Sequence, residues 1–176
     1  MHRHLKVSIL LFLIILNFEP VSAQKDEKKE EKWDVSDPYP DDWNFKTLNL
    51  DTDEGTWMNL DISPDGKTIV FDLLGDIYKM PVSGGKATIL RTGIPYEIQP
   101  RFSPDGSKIS FTSDAGGGDN IWIMDTNGQN AEQITEESFR LLNNAVWTSD
   151  GNSIIARKHF TSGRSLGAGE MWQYHI

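Results

Sequence analysis

The sequence predicts an all-β chain built of β-propeller blades, and three observations predict it. One four-residue phrase occurs three times, as Ser63-Pro64-Asp65-Gly66, Ser103-Pro104-Asp105-Gly106 and Thr148-Ser149-Asp150-Gly151, at spacings of 40 and 45 residues. Its flanks repeat too: Ile62, Phe102 and Trp147 precede it, and Ile69, Ile109 and Ile154 follow six residues after its start. Further on, Ile77-Tyr78, Ile121-Trp122 and Met171-Trp172 hold equivalent places. Each unit has room for four short strands, the size expected of a propeller blade. Regular short strands also suit a plain sandwich, but internal repetition favours the propeller.

The first 23 residues form a secretory signal peptide by pattern. Arg3 and Lys6 give a positive start, Val7 to Phe18 an apolar run of 12, and Val21-Ser22-Ala23 the small residues of a cleavage site between Ala23 and Gln24. Twelve apolar residues are too few to span a bilayer comfortably. The His2 and His4 pair falls in this discarded segment, so a metal role for it is set aside. The protein is therefore expected to be exported, periplasmic or secreted, and not membrane-spanning after cleavage. Residues 24–44 read as a linker: Lys25 to Lys32 are eight charged residues in succession, followed by Pro38, Pro40, Asp41 and Asp42. Trp33 and Trp43 are candidates to pin this lead-in to the folded body.

Residues 45–176 carry the blades. Ser-Pro-Asp-Gly suits a tight reversal, because Pro presets φ, Asp bonds locally to the backbone and Gly accepts positive φ. In the first unit, Asn59–Ile62 and Thr68–Phe71 flank that turn as β-rich runs. Asp76–Met80 then leads through Ser83-Gly84-Gly85 to Ala87–Leu90. The second unit repeats this plan. The third stops at Ile176, soon after its Met171-Trp172 strand. A propeller closes with about four to eight blades. Two complete blades and one truncated blade are thus expected to be an open fragment of a larger propeller, with assembly of several copies into a ring as the other outcome.

The Ser-Pro-Asp-Gly phrase, the apolar strand after it and Asn120-Ile121-Trp122-Ile123-Met124-Asp125-Thr126-Asn127-Gly128 resemble the TolB-like, WD40-like (PD40) propeller repeats of bacterial envelope proteins. Three longer phrases, residues 53–61, 156–162 and 164–170, resemble something narrower. They look like the N-terminal propeller of secreted bacterial amidohydrolase-family proteins, in which a TolB-like domain precedes a metal-dependent hydrolase barrel. That resemblance implies a non-catalytic segment supporting or gating a catalytic domain absent from this chain. Its partners would be the remaining blades and that downstream domain. A TolB-like periplasmic protein-binding propeller and the propeller of an exported serine peptidase are the alternatives, the first with envelope proteins as partners.

Composition narrows the field further. With 17 Lys+Arg against 26 Asp+Glu, the formal charge is −9, which argues against a nucleic-acid partner. Removing residues 1–23 takes away Arg3, Lys6 and Glu19 and moves the charge to −10. The absence of cysteine excludes disulfides, thiolate zinc sites and cysteine nucleophiles. After cleavage only His159 and His175 remain as histidines, too few for an amidohydrolase metal centre. No catalytic, cofactor-binding or metal-binding residue is therefore assigned in this chain.

Several motifs invite chemistry and have plainer accounts. Gly163-Arg164-Ser165-Leu166-Gly167 fits a nucleophile elbow, but that elbow needs a strand-to-helix turn and a later acid and His; an inserted hairpin loop suits the context better. Residues 61–68 end like a phosphate loop yet have Asp where its first Gly belongs. Asp125 to Asn130 begins like a calcium loop, but Gly comes two places early. Both are expected to be turns. Asp114-Ala115-Gly116-Gly117-Gly118-Asp119-Asn120 places two acids around a glycine run, as a long hairpin loop or a cation site. Arg157, Lys158, His159 and Arg164 cluster as solvated charge, an anion site or a contact to a neighbouring domain. Phe71, Tyr78, Phe111, Trp122 and Trp172 are expected between blades, as core rather than a sugar platform.

Overall fold

A computed structural model describes residues 44, 46, 49–159 and 168–176. The signal segment with Ala23 and Gln24, His2 and His4, nearly all of the linker, Arg164 and the 163–167 motif lie outside the described residues. Within them no helix occurs, and none is therefore long and apolar enough to cross a membrane.

Eleven strands make three antiparallel sheets. The first holds β1 (Leu60–Ile62), β2 (Thr68–Leu73), β3 (Asp76–Pro81) and β4 (Thr88–Arg91) in sequence order. The second repeats that order with β5 (Glu97–Phe102), β6 (Lys108–Ser113), β7 (Asn120–Asp125) and β8 (Glu132–Gln133). The third contains β9 (Leu142–Trp147), β10 (Ser153–His159) and β11 (Gly169–His175). β5 packs on β1 and β2, and β9 packs on β5, β6 and β7, so the sheets stack face to face through their first strands. This is the all-β, propeller-blade architecture expected from the repeats, in the form of an open array.

Register confirms the repeat alignment. Phe71 pairs with Tyr78, Phe111 with Trp122 and Ala156 with Trp172. Because successive strand residues point to opposite faces, each sheet offers one face backward and one forward. Between the first two blades lie Val70 and Ile77 from the first, against Ile109, Phe111 and Met124 from the second. Ile121 and Ile123 of the second blade meet Leu142, Ala145, Ile154 and Ala156 of the third. Phe111 is fully buried and stacks on Trp122 with centroids 6.5 Å apart. The Trp122 indole N–H is itself buried without a hydrogen-bond partner.

The aromatics depart from expectation in two places: Phe71 and Tyr78 stack with centroids 5.5 Å apart but belong to neither inter-blade cluster, and Trp172 stays partly in water. Trp172 holds the place of Trp122 but remains 43% exposed. Its cross-strand partner is Ala156 instead of a second aromatic, so the Phe–Trp pairing of the second blade is not repeated. The Lys158 ammonium lies 4.3 Å over the indole instead, and the ring N–H donates to Glu170 at 2.9 Å.

Candidate functional site

Antiparallel pairing sends the turns of every blade to two opposite ends. One end carries the three repeated turns. In each, the Gly N–H donates to the carbonyl of the first turn residue: Gly66 to Ser63 at 2.8 Å, Gly106 to Ser103 at 2.9 Å and Gly151 to Thr148 at 2.9 Å. The glycines sit at φ of 71°, 74° and 73°, the left-handed region that makes glycine the fitting residue there. The hydroxyl of Ser63, Ser103 or Thr148 donates to its turn aspartate at 2.5–2.6 Å. These bonds favour the charged carboxylate, so Asp65 and Asp150 lie below the usual carboxylate range and Asp105 falls to about 2. The aspartates thus serve the turns, and residues 61–68 include the hairpin turn expected there.

Neighbouring turns also touch. A Cβ on Gly106 would meet Pro64 Cδ at 3.3 Å. Beside this contact runs a groove of about 700 Å³, lined among others by Asp65, Lys79, Met80, Phe102 and Asp105. Lys79 crosses to the second blade, its ammonium donating to the Thr126 carbonyl at 3.0 Å. Asp125 to Asn130 is a turn as expected: the Gly128 N–H donates to the Asp125 carbonyl, and Asp125 pairs with Lys108 at 2.6 Å. That lysine, followed by the Asn130 amide, holds the Asp125 carboxyl low.

Bulges link the blades along their first strands. Gln99 and Asn144, at φ of 59° and 54°, are the residues that break the register of β5 and β9. Each bulge turns its N–H toward the preceding blade. The Gln99 N–H donates to Asp72 at 2.6 Å, and the Asn144 N–H to the Gln99 side-chain oxygen at 2.6 Å. Asp61 likewise accepts from the Phe102 N–H at 2.8 Å. Arg91 of β4 pairs with the buried Glu97 of β5 at 2.8 Å, its guanidinium 5.9 Å from the Phe111 ring centroid. Sequence reasoning missed these four acids and bases. The available signal was negative: positions 61, 101 and 146, and positions 72, 112 and 157, do not repeat amid neighbours that do.

The opposite end gathers the β2–β3 turn, the β4–β5 connection, the β6–β7 loop and the β8–β9 connection. Asp114 and Asp119 lie here. Asp114 accepts the Tyr96 N–H at 2.8 Å, tying the glycine loop to the first blade. Asp119 is pushed up, first by burial and then by the Asp114 charge. No group of three or more His, Cys, Asp or Glu suited to a metal occurs among the described residues. Buried Asn120 organises the adjoining segment, accepting from the Thr135 hydroxyl and the Glu137 N–H at 2.8 and 2.7 Å. The basic cluster is taken up internally: Lys158 pairs with Glu137, His159 bonds the Asn143 side chain at 3.0 Å, and Arg157 is engaged as well. Lys158 thus departs from the solvated charge expected of it, since its side chain is mostly buried against Glu137.

Comparison with known proteins agrees with this architecture. An uncharacterized protein of Agrobacterium fabrum, Atu1656, is 36% identical over 81 residues, which is 44% of this chain and 28% of that protein. Tricorn protease homolog 1 of Streptomyces coelicolor is 29% identical over 89 residues, covering 50% of this chain and 8% of the homolog. The matches therefore span well under a third of these relatives' own length. Among solved structures, a TolB of Agrobacterium tumefaciens superposes with a TM-score of 0.57 at 22% identity, over 68% of this chain and 50% of that one. The model of the PD40 family, TolB beta propeller domain, matches residues 51–169. Repeated turns, four-stranded blades and that match together place this chain in the PD40 TolB beta propeller family.

Proposed function

We propose that the chain is a TolB-like, protein-binding propeller segment of an exported protein, and that it contributes a rigid surface without performing chemistry. The observation that carries this reading is where its polar groups go. Asp65, Asp105 and Asp150 brace turns, while Asp61, Asp72, Glu97 and Arg91 join blades, so the described polar network builds a scaffold. Export rests on the signal-peptide pattern of residues 1–23, with no resident cofactor called for.

The propeller of an exported peptidase is the second reading, favoured by the match to the Tricorn protease homolog. The amidohydrolase attachment expected from residues 53–61, 156–162 and 164–170 rests on those phrases alone. None of the three proteins compared above is named an amidohydrolase. Protein binding therefore moves ahead of it.

The test is photo-crosslinking in cells exporting the protein, with a benzophenone amino acid placed at Leu74 on one end and at Val82 on the other. Discrete adducts with a second polypeptide from either position support the binding reading. Absence of an intermolecular adduct from both positions overturns it. Sequencing past the codon for Ile176 separates the other two: a Ser-Asp-His hydrolase domain supports the peptidase, and an H-x-H-bearing barrel the amidohydrolase.

A further inference from the structure

The two ends of the blade stack differ in what they leave in water. At the end opposite the repeated turns, Trp57, Leu74, Ile94, Tyr96, Phe139 and Leu141 are exposed. At the repeated-turn end, among the described residues, the exposed large hydrophobics outside the strands are Val82 and Ile176, with Ile62 half-exposed at the end of β1. The contrast is sharpest at the loop tips, where Trp57 is 98%, Leu74 79% and Phe139 74% exposed. These residues belong to no sheet face awaiting another blade. Leu74, Ile94, Tyr96, Phe139 and Leu141 lie on connections between strands and Trp57 on the segment leading into β1, and exposed apolar side chains gathered at one end mark interaction surfaces. Aromatic side chains supply rigid contact area with few rotors to freeze, as interface anchors do. Tyr96 is already held in place: a Cβ on Gly75 would meet its ring at 2.7 Å, and its N–H is bound by Asp114.

Acidic residues outnumber basic ones at this end among the described residues, and Arg140 and Arg157 are already engaged. A notch of about 280 Å³ opens between the glycine loop and the β8–β9 connection, lined by Gly116, Asn120, Gln133, Glu136, Glu137 and Ser138. Glu137 is neutralised by Lys158, and Arg91 is spent on Glu97. Exposed Glu136 has no such ion pair among the described residues, and the Asp114–Asp119 repulsion is left standing. A cation entering the notch would meet the Glu136 carboxylate.

We propose that this end docks an extended polypeptide whose apolar side chains lie on Leu74, Tyr96 and Phe139 while a Lys or Arg enters the notch at Glu136. The proposal rests on the protein-binding reading and names the partner's chemistry. Specificity comes from the pairing of apolar anchors with a basic side chain, so an acidic apolar segment is rejected by the carboxylates.

Two synthetic 12-residue peptides, alternating Phe with Lys and Phe with Glu, test it by fluorescence anisotropy on the full chain. The Lys peptide should bind at least about tenfold more tightly than the Glu peptide. Phe139→Ser combined with Leu74→Asn should weaken it by about tenfold or more. Both side chains are largely solvated, and Asn suits the φ of 56° at Leu74, so the fold survives these changes. Glu136→Gln should reduce the preference for Lys over Glu, and Val82→Ser at the other end should change nothing. Equal affinity for the two peptides overturns the proposal, as does a loss in Val82→Ser matching that of the double variant. Binding of the Lys peptide untouched by the double variant overturns this placement while leaving the protein-binding reading intact. Failure of both peptides to bind also overturns the placement, and the reading then stands or falls on the crosslinking experiment.

Discussion

The interface between the first and second blades and the interface between the second and third solve one backbone problem with different chemistry. Both present a bulge N–H, from Gln99 and from Asn144, that must find an acceptor on the blade before. At the first interface the acceptor is a carboxylate, Asp72, supported by Asp61 and by the buried Arg91–Glu97 pair. At the second it is the neutral amide of Gln99, and Trp147 adds an indole bond to the Arg101 carbonyl at 3.2 Å. The apolar filling differs in the same direction. Phe111 fills the first interface at the position Ala156 occupies in the second. A repeat protein can therefore keep its geometry while exchanging charge and bulk between successive joints.

The largest test of that contrast is truncation of the bulky joint. Phe111→Ala should cost about 4 kcal/mol in denaturant unfolding, because a fully buried ring leaves a cavity. A cost of about 1 kcal/mol or less would mean the two interfaces are equally tolerant. Next comes charge. Arg91→Met should cost about 3 kcal/mol by stranding the Glu97 carboxylate in its buried setting. A neutral outcome would show that water reaches Glu97 and that the first joint is not electrostatically distinct.

The acceptors themselves sharpen the comparison. Asp72→Asn should cost about 2 kcal/mol, since a charged acceptor holding three donated bonds is weakened. Gln99→Ala should cost about 1 kcal/mol, since only neutral bonds, a short one from Asn144 and a long one from Thr112, are lost. Equal losses would erase the distinction between the joints.

The smallest effect is read in acid. Asp105 is held at about 2 by the Ser103 and Ser107 bonds, below its ordinary 3.8. A lowered carboxylate stabilises the fold above the ordinary value, and that contribution fades as pH falls from about 4 through about 2. Asp65 and Asp150 are lowered in the same direction. The Tm of Asp105→Asn should converge on that of the parent between pH 4 and 2; a constant gap across that window would contradict the assignment.

Much of this architecture was legible before any coordinates. Tight turns and buried strand positions must satisfy the same local sterics in every blade, so Pro, Asp, Gly and the flanking Ile residues recur and announce themselves. The joints did not. Asp72 and Thr112 hold equivalent places, yet only Asp72 accepts the N–H of the bulge that follows; at the second joint Gln99 of another strand does so, a long-range arrangement with no periodic trace. The same holds for Trp172, whose burial depended on the residue across the strand, Ala156, rather than on its own place in the repeat. The exposed loop end was hidden for another reason: its segments differ in length from blade to blade, so Leu74, Tyr96 and Phe139 share no register.

The half-buried Trp122 ring, with its indole N–H shut away from water, gives the molecule an optical property. An indole shielded from water, without a hydrogen-bond partner and stacked on Phe111, emits toward the blue, whereas the solvent-bathed Trp57 emits toward the red. Parting of the first two blades would redden the first, and a partner covering the loop tips would shift the second the opposite way. With the other four of the six tryptophans replaced by Phe, these two distinguish loosening of a joint from occupancy of an end by colour.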